Sequence, residues 1–277
     1  MDWHNGRPQL IESLPKESKP MNTGFSDAMP PHASPFATTH WSVVLSAGQA
    51  GSAAAEAALE KLCRTYWPPL YAFVRRSGHS QADAEDLTQG FFYRLLSEGR
   101  VGYVSQSRGR FRTFLLSSLK HYLINEWRRN AREKRGFGAV HLSFNCDPEE
   151  ALYAREPATS ESPDWLFERR WATRLIEHVF DTVRSDYARS GQTQMFDAIV
   201  PVIWGDVDAQ KYVDIAAQLG TTEGALKVAV FRARQRFRER IQDAVAATLP
   251  DPTDRGEIEA ELHHLETVLK GVPPHCG

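Results

Sequence analysis

Two stretches of this 277-residue chain gather cations densely enough to act on a polyanion. In "TTEGALKVAVFRARQRFRER", residues 221–240, an arginine falls at every second position from Arg232 to Arg240. Read as a helix, its Leu226, Val230, Ala233 and Phe237 recur at spacings of four, three and four, the pattern of a buried stripe. Lys227, Arg234 and Arg238 share a separate strip, flanked by Arg232 and Arg236. The preceding "YVDIAAQLG" supplies a helix with Ile215, Ala216 and Leu219 inward and Gly220 in a left-handed turn. Thr221 or Thr222 then caps the second helix. A helix-turn-helix of this kind lays its second helix in the major groove of DNA while cations hold phosphates. The bland alternative for the same run is a solvated surface helix. In the other stretch, "NEWRRNAREKR", Asn125, Trp127, Arg128, Arg129, Arg132, Lys134 and Arg135 interleave amide, aromatic and cationic groups, which suits phosphate neutralisation and stacking on unpaired bases.

Other groupings carry less chemistry. Asp83, Glu85 and Asp86 could form paired catalytic carboxylates, but no glycine-rich phosphate loop, nucleophile motif or histidine placed with an acid accompanies them. No enzyme and no cofactor are expected. His263, His264, His275 and Cys276 could suggest zinc, yet adjacent histidines point to different helix faces and the last two follow Pro273 and Pro274. No metal is expected either.

A formal net charge of −2 argues against indiscriminate adhesion to nucleic acid, so any such contact must come from local patches. Apolar residues make up 42% of the chain, enough for real cores. Cys63, Cys146 and Cys276 give no disulfide framework. The amino terminus lacks the apolar core of a signal peptide, and no run approaches the ~18 apolar residues of a membrane span. A cytoplasmic protein without a membrane span is expected.

The cationic stretches need helices to hold them. Residues 1–38, rich in proline, read as a disordered tail. Helical period begins at Thr39, which can cap "HWSVVLSAG", and continues from Ala53 to Arg76, where Pro68 and Pro69 should kink or split the helix. Ser80 caps "HSQADAEDLTQGFFYRLLSEG", which stops at Gly99. A third helix buries Phe111, Phe114, Leu115, Leu119, Tyr122, Leu123 and Trp127. Residues 39–136 thus form one helical domain, 137–163 a flexible linker, 164–249 a second domain ending in the helix-turn-helix, and 250–277 an extension. That extension carries an apolar stripe of Ile258, Leu262, Leu265 and Leu269, expected to fold against the second domain or the linker and tune its availability. No strand alternation occurs, so the fold class is all-α, two small helical domains.

The order "DAEDLTQGFFYRLL", "GRFRTFLLSSLKHYLINEWRRNAREKR", "YVDIAAQLGTTEGALKVAVFRARQRFRE" resembles bacterial RNA polymerase sigma factors of the extracytoplasmic-function group. "TTHWSVVLSAG" and "DPTDRGEIEAELHHLETVL" look like the elongated ends of a subgroup. The resemblance implies a non-enzymatic subunit of the transcription machinery. Its region 2 would bind core RNA polymerase and open and read the minus-ten promoter element, and its region 4 would read the minus-thirty-five element. Asp83, Glu85, Asp86, Leu87 and Gln89 match the family's polymerase-docking motif, although Asp83 reads equally as a helix cap. The stretch from Tyr103 through Arg108 and Arg110, then Arg112, Lys120, His121, Asn125, Trp127, Arg128, Arg129 and Arg132, matches the minus-ten surface, with His121 where relatives often carry Asn. Thr221, Thr222, Glu223, Lys227, Arg232, Arg234 and Arg236 match the minus-thirty-five surface. Val228 and Ala229 replace a polar residue and an arginine found in many relatives, which leaves fewer side chains to read bases. Promoter DNA and core polymerase are the implied partners, with an anti-sigma factor or other regulator a further candidate. The competing class is a stand-alone helix-turn-helix repressor or activator, which has no use for the acidic helix and its aromatic, basic successor.

Overall fold

The computed structural model describes residues 53–97, 109–132, 150, 153–154, 161–203 and 209–271. Among these the regular structure is helical throughout: α1 (Ala53–Arg76), α2 (Gln81–Ser97), α3 (Phe111–Arg132), α4 (Pro163–Arg189), α5 (Thr193–Ile203), α6 (Ala209–Gln218), α7 (Glu223–Ala246) and α8 (Arg255–Leu269). The expected tail at 1–38, the Thr39 cap and the Gly99 stop lie outside the described residues. The chain divides into two compact units, Phe36–Leu175 with Ala244–Gly277, and Ile176–Asp243.

In the first unit, α1 runs unbroken through Pro68 and Pro69, so of the expected kink or split the split does not occur. Each proline removes a backbone donor, a cost of about 3 kcal/mol in a helix interior. Burial on both sides of the pair compensates, since Tyr66, Trp67, Leu70, Tyr71, Phe73 and Val74 are all in the core. Trp67 stacks on Phe92 of α2 at 5.7 Å between ring centroids, and Tyr66 meets Phe111 of α3 edge-on at 5.5 Å. Ser80 caps α2, its hydroxyl accepting from the Asp83 N–H at 3.2 Å and donating to the Asp83 carboxylate at 2.7 Å. Where α2 passes α3, Gly90 faces the Tyr122 hydroxyl so closely that any Cβ there would overlap it. Phe111, Leu115 and Leu119 are buried as expected, but Trp127 is 72% exposed and does not belong to the inner face.

The expected linker, 137–163, falls largely outside the described residues, yet Glu150 is anchored. It accepts from the Tyr71 hydroxyl at 2.5 Å and from Arg75 Nε and Nη2 at 2.9 and 2.8 Å. The division between units falls within α4, after Leu175. The earlier part of that helix buries Trp165, Leu166, Phe167, Trp171 and Ala172.

The extension also joins the first unit. Helix α8, capped by Asp254 accepting from the Glu257 N–H, buries Leu265 and Val268 together with Glu261. The expected seam of Ile258, Leu262, Leu265 and Leu269 is thus rotated, because a carboxylate occupies its centre. Glu261 reaches Arg112 Nη1 at 2.5 Å and Arg110 Nη1 at 2.8 Å. These are ion pairs at contact distance that lack hydrogen-bond alignment. Arg112 also donates from Nε to Glu168 at 3.0 Å and lies over the Trp171 ring at 4.1 Å. His264 closes the cluster, 3.1 Å from the same Glu168 oxygen. The extension therefore packs on the start of α3 and the first part of α4.

In the second unit, Phe180 of α4, Phe196 of α5 and Phe237 of α7 form an aromatic core with centroid separations of 5.4 Å for Phe180–Phe196 and 6.3 Å for Phe196–Phe237. This core fixes α7 and so decides which of its faces remains outside.

Candidate nucleic-acid interface

Helix α2 presents acids outward because Ala84, Thr88, Phe91 and Leu95, at spacings of four, three and four, are all buried. Asp83 and Asp86 are exposed, while Glu85, Leu87 and Gln89 are half-buried. Asp83 serves the Ser80 cap, and Glu85 accepts from Gln81 Nε2 at 3.1 Å. Asp86 lies exposed on the same outward side.

Along α3, His121, Asn125 and Arg128 recur at spacings of four and three and are all exposed. Ile124 at 47% and Trp127 at 72% exposure lie beside them. Arg129 is exposed too and pairs with Glu126 at 2.6 Å. Burial first, then the nearby Glu126 carboxylate, pushes the Tyr122 hydroxyl up to about 12. The combination is a flat aromatic face with cations and amide donors next to it, suited to stacking on and hydrogen-bonding with unpaired bases.

The structure does not bring every expected residue to this surface. Arg112 is only 3% exposed and is committed to Glu261, Glu168 and Trp171, which removes it from the nucleic-acid set. Arg110 is turned toward Glu261, and Lys120 pairs with Asp164. Arg108 and the Tyr103 stretch lie outside the described residues, as does the side chain of Arg132.

The helix-turn-helix comprises α6, a turn and α7. Gly220 adopts φ +63°, the left-handed conformation expected of it, and the Thr221 N–H donates to Ala216 O at 2.9 Å. Thr222 is the cap, accepting from the Ala225 N–H at 3.2 Å. Leu226, Val230, Ala233 and Phe237 are buried at 2% exposure or less, as their spacing predicts. Lys227 pairs with Glu223 at 2.6 Å, and the hydrogen bond it donates to that carboxylate raises its pKa. Arg232 and Arg236 are exposed, with Arg236 over the Tyr187 ring at 5.1 Å. Arg234 does not belong with them. Its Nε and Nη2 donate to Ile203 O and Val202 O at 3.1 and 3.0 Å, closing the carboxyl end of α5, where a cation is favoured by the helix dipole. Its role is structural.

Three outward residues of α7 escaped the sequence reading of the site: Phe231 at 60% exposure, Val228 at 49%, and Gln235. A wheel centred on the buried stripe places all three opposite it. Their spacing in the sequence already sets them opposite the Leu226, Val230, Ala233, Phe237 stripe.

Sigma-70 region 2 matches residues 62–133, the span that holds most of α1, all of α2 and all of α3. The chain is similar to the ECF RNA polymerase sigma factor SigE of Mycolicibacterium smegmatis, 23% identical over 189 residues, which cover 68% of this chain and 63% of that protein. The chain thus spans less than two thirds of the length of this curated relative. No solved structure matches the chain. A region 2 domain thus lies in the helices that carry the outward acids and the aromatic, cationic face, and this match together with the likeness to that relative supports a sigma factor of the extracytoplasmic-function type.

Proposed function

We propose that the protein is a promoter-specificity subunit. It joins core RNA polymerase through the outer face of α2, centred on Asp86, and engages the opened minus-ten element through His121, Asn125, Trp127 and Arg128 of α3. It reads the minus-thirty-five duplex through α7, with Thr222, Lys227, Arg232 and Arg236 at the edges of the contact. It performs no covalent chemistry. A cytoplasmic location follows from those partners, and no helix among the described residues is long and apolar enough to cross a membrane.

One observation carries this reading: a sigma-70 region 2 match and a capped helix-turn-helix lie in sequence order on one chain. A stand-alone repressor needs only the second of these. Run-off transcription by core polymerase with and without the full chain tests it. Initiation at chain-dependent start sites, with co-elution of chain and core, is expected. A chain that binds duplex DNA but neither co-elutes with core nor starts transcripts is a repressor or activator instead.

A further inference from the structure

The outer face of α7 has an unusual chemistry for a phosphate-binding helix. At 100° per residue, Gly224, Val228, Phe231 and Gln235, spaced i, i+4, i+7 and i+11, fall within about 60° of the circumference. Their direction is opposite to buried Leu226, Val230, Ala233 and Phe237. The centre of the face is apolar, with Val228 49% and Phe231 60% exposed. A Cβ added at Gly224 would meet nothing within 4 Å, so the first turn is open to a close approach. Cations bracket the face: Lys227 on one side, Arg232 and Arg236 on the other. Of the 24 residues of α7, six are Lys or Arg against three acids. A strip with an apolar floor and cationic edges is complementary to a groove with anionic edges and apolar groups on its floor. In the major groove those apolar groups are the 5-methyls of thymine.

Resting on the reading of the chain as a promoter-specificity subunit, we propose that Val228 and Phe231 select thymine in the minus-thirty-five element by packing on its 5-methyl groups, with Gln235 at the next turn facing an adenine edge. Val228 and Phe231 are three residues apart, about 4.5 Å along the helix axis. Base pairs step by about 3.4 Å, so the two side chains address neighbouring pairs. The replacement of polar side chains at this face then changes the mode of base reading from hydrogen bonding to methyl contact. Arg232 and Arg236 set the register through phosphates and contribute no sequence preference.

The test uses the full chain joined to core polymerase. Duplexes carrying a randomised upstream element are selected by binding, and the winners are resynthesised with deoxyuridine in place of thymidine at each position of that element. Deoxyuridine keeps base pairing and removes only the methyl. Neighbouring thymines, on either strand, are expected in the selected element. Each replacement should weaken binding about fourfold, the factor that corresponds to ~0.8 kcal/mol for one buried methyl-sized group. Phe231→Ala should lose affinity for the thymine duplex and become indifferent to deoxyuridine at one position. Helical content measured by circular dichroism should be unchanged, because Phe231 lies outside the core. Selected elements without thymine, or equal binding of thymine and deoxyuridine duplexes by the unaltered chain, overturn the proposal while leaving the promoter reading intact. A Phe231→Ala variant that keeps full sensitivity also overturns it and assigns the patch to another macromolecule. Failure to select any element overturns the promoter reading, and the methyl contact with it.

Discussion

Replacing Glu261 with Ala removes the carboxylate that two arginines share inside the first unit. Glu261 is fully buried, and the Arg112 side chain keeps 2% of its surface. Truncating one partner of a buried ion pair costs about 3–5 kcal/mol, because the other charge stays desolvated and uncompensated. Two features of this site place the loss near the lower end. Arg112 retains Glu168 at 3.0 Å and the Trp171 ring at 4.1 Å, and Arg110, 34% exposed, can turn to water. The expected loss is therefore about 3 kcal/mol, a large part of the ~5–15 kcal/mol that holds a domain folded. At ~2–4 °C per kcal/mol for a unit of this size, the melting temperature should drop by about 6–12 °C. Thermal and urea unfolding of the full chain, followed by circular dichroism, measure this. A double-mutant cycle separates the pair from general damage to α8. In Glu261→Leu with Arg112→Met no charge is stranded, and the double variant should recover at least ~1.5 kcal/mol of the summed single losses. A Glu261→Ala change within ~0.5 kcal/mol of the native chain would mean that α8 is not seated on these arginines, and the account of the extension as part of the region 2 unit would fail.

Glu168 adds a pH dependence. Burial opposes its ionisation, but the His264 hydrogen bond and the Arg112 charge outweigh burial and hold its carboxyl below the ordinary glutamate value. A lowered native pKa gives stability that is present above the unfolded value of about 4.3 and lost as pH falls through the native one. Glu168→Gln should flatten that acid limb in pH-dependent melts, and an unchanged limb would refute the assignment. Exchange of Asp86 for Arg should abolish co-elution with core polymerase while leaving the melting temperature within ~0.5 kcal/mol equivalents of native, as for surface changes generally; retained co-elution would move the docking face elsewhere. Arg232→Ala with Arg236→Ala should lower the salt slope of promoter binding by about 1.8, at ~0.9 per phosphate. Arg234→Ala should leave the slope unchanged and instead cost stability by ~1.5–3 kcal/mol, through loss of charge-assisted bonds to carbonyls.

Local patterning made the elements and the inner faces legible. The Ala53–Arg76 boundaries, the Ser80 cap, the Gly220 turn and the Leu226–Phe237 stripe all follow from rules that act within a few residues. Failures arose where a distant partner decided the outcome. The double proline was expected to kink or split α1, but with aromatic packing from α2 and α3 the helix is continuous through it. Arg112 looked like a nucleic-acid contact until Glu168 and Glu261, 56 and 149 positions away, were seen to converge on it. For the same reason a glutamate sits at the centre of the α8 seam, where a hydrophobic wheel would place it outside. Helical spacing places Trp127 on the inner face of α3, yet it is 72% exposed.

The alternating arginines of α7 show why spacing must be converted to angle before charge is converted to function. Two residues advance a helix by 200°, so a cation at every second position cannot line one face. Arg232, Arg236 and Arg240 fall within about 80° of one another, whereas Arg234 and Arg238 fall about 200–240° away from Arg232. Burial follows this division: Arg232 and Arg236 are exposed, while Arg234 and Arg238 are half-buried. Arg240, on the same flank as Arg232 and Arg236, is half-buried and drawn to Asp186 at 2.9 Å. Five arginines therefore supply two exposed cations on one flank, and the centre of the outer surface is left to Val228 and Phe231. On the proposed reading, such a helix holds phosphates through Arg232 and Arg236 on one flank and Lys227 on the other, and gains little discrimination from charge. On the proposed reading, sequence preference comes from the uncharged side chains between the flanks, the apolar Val228 and Phe231 and the amide of Gln235.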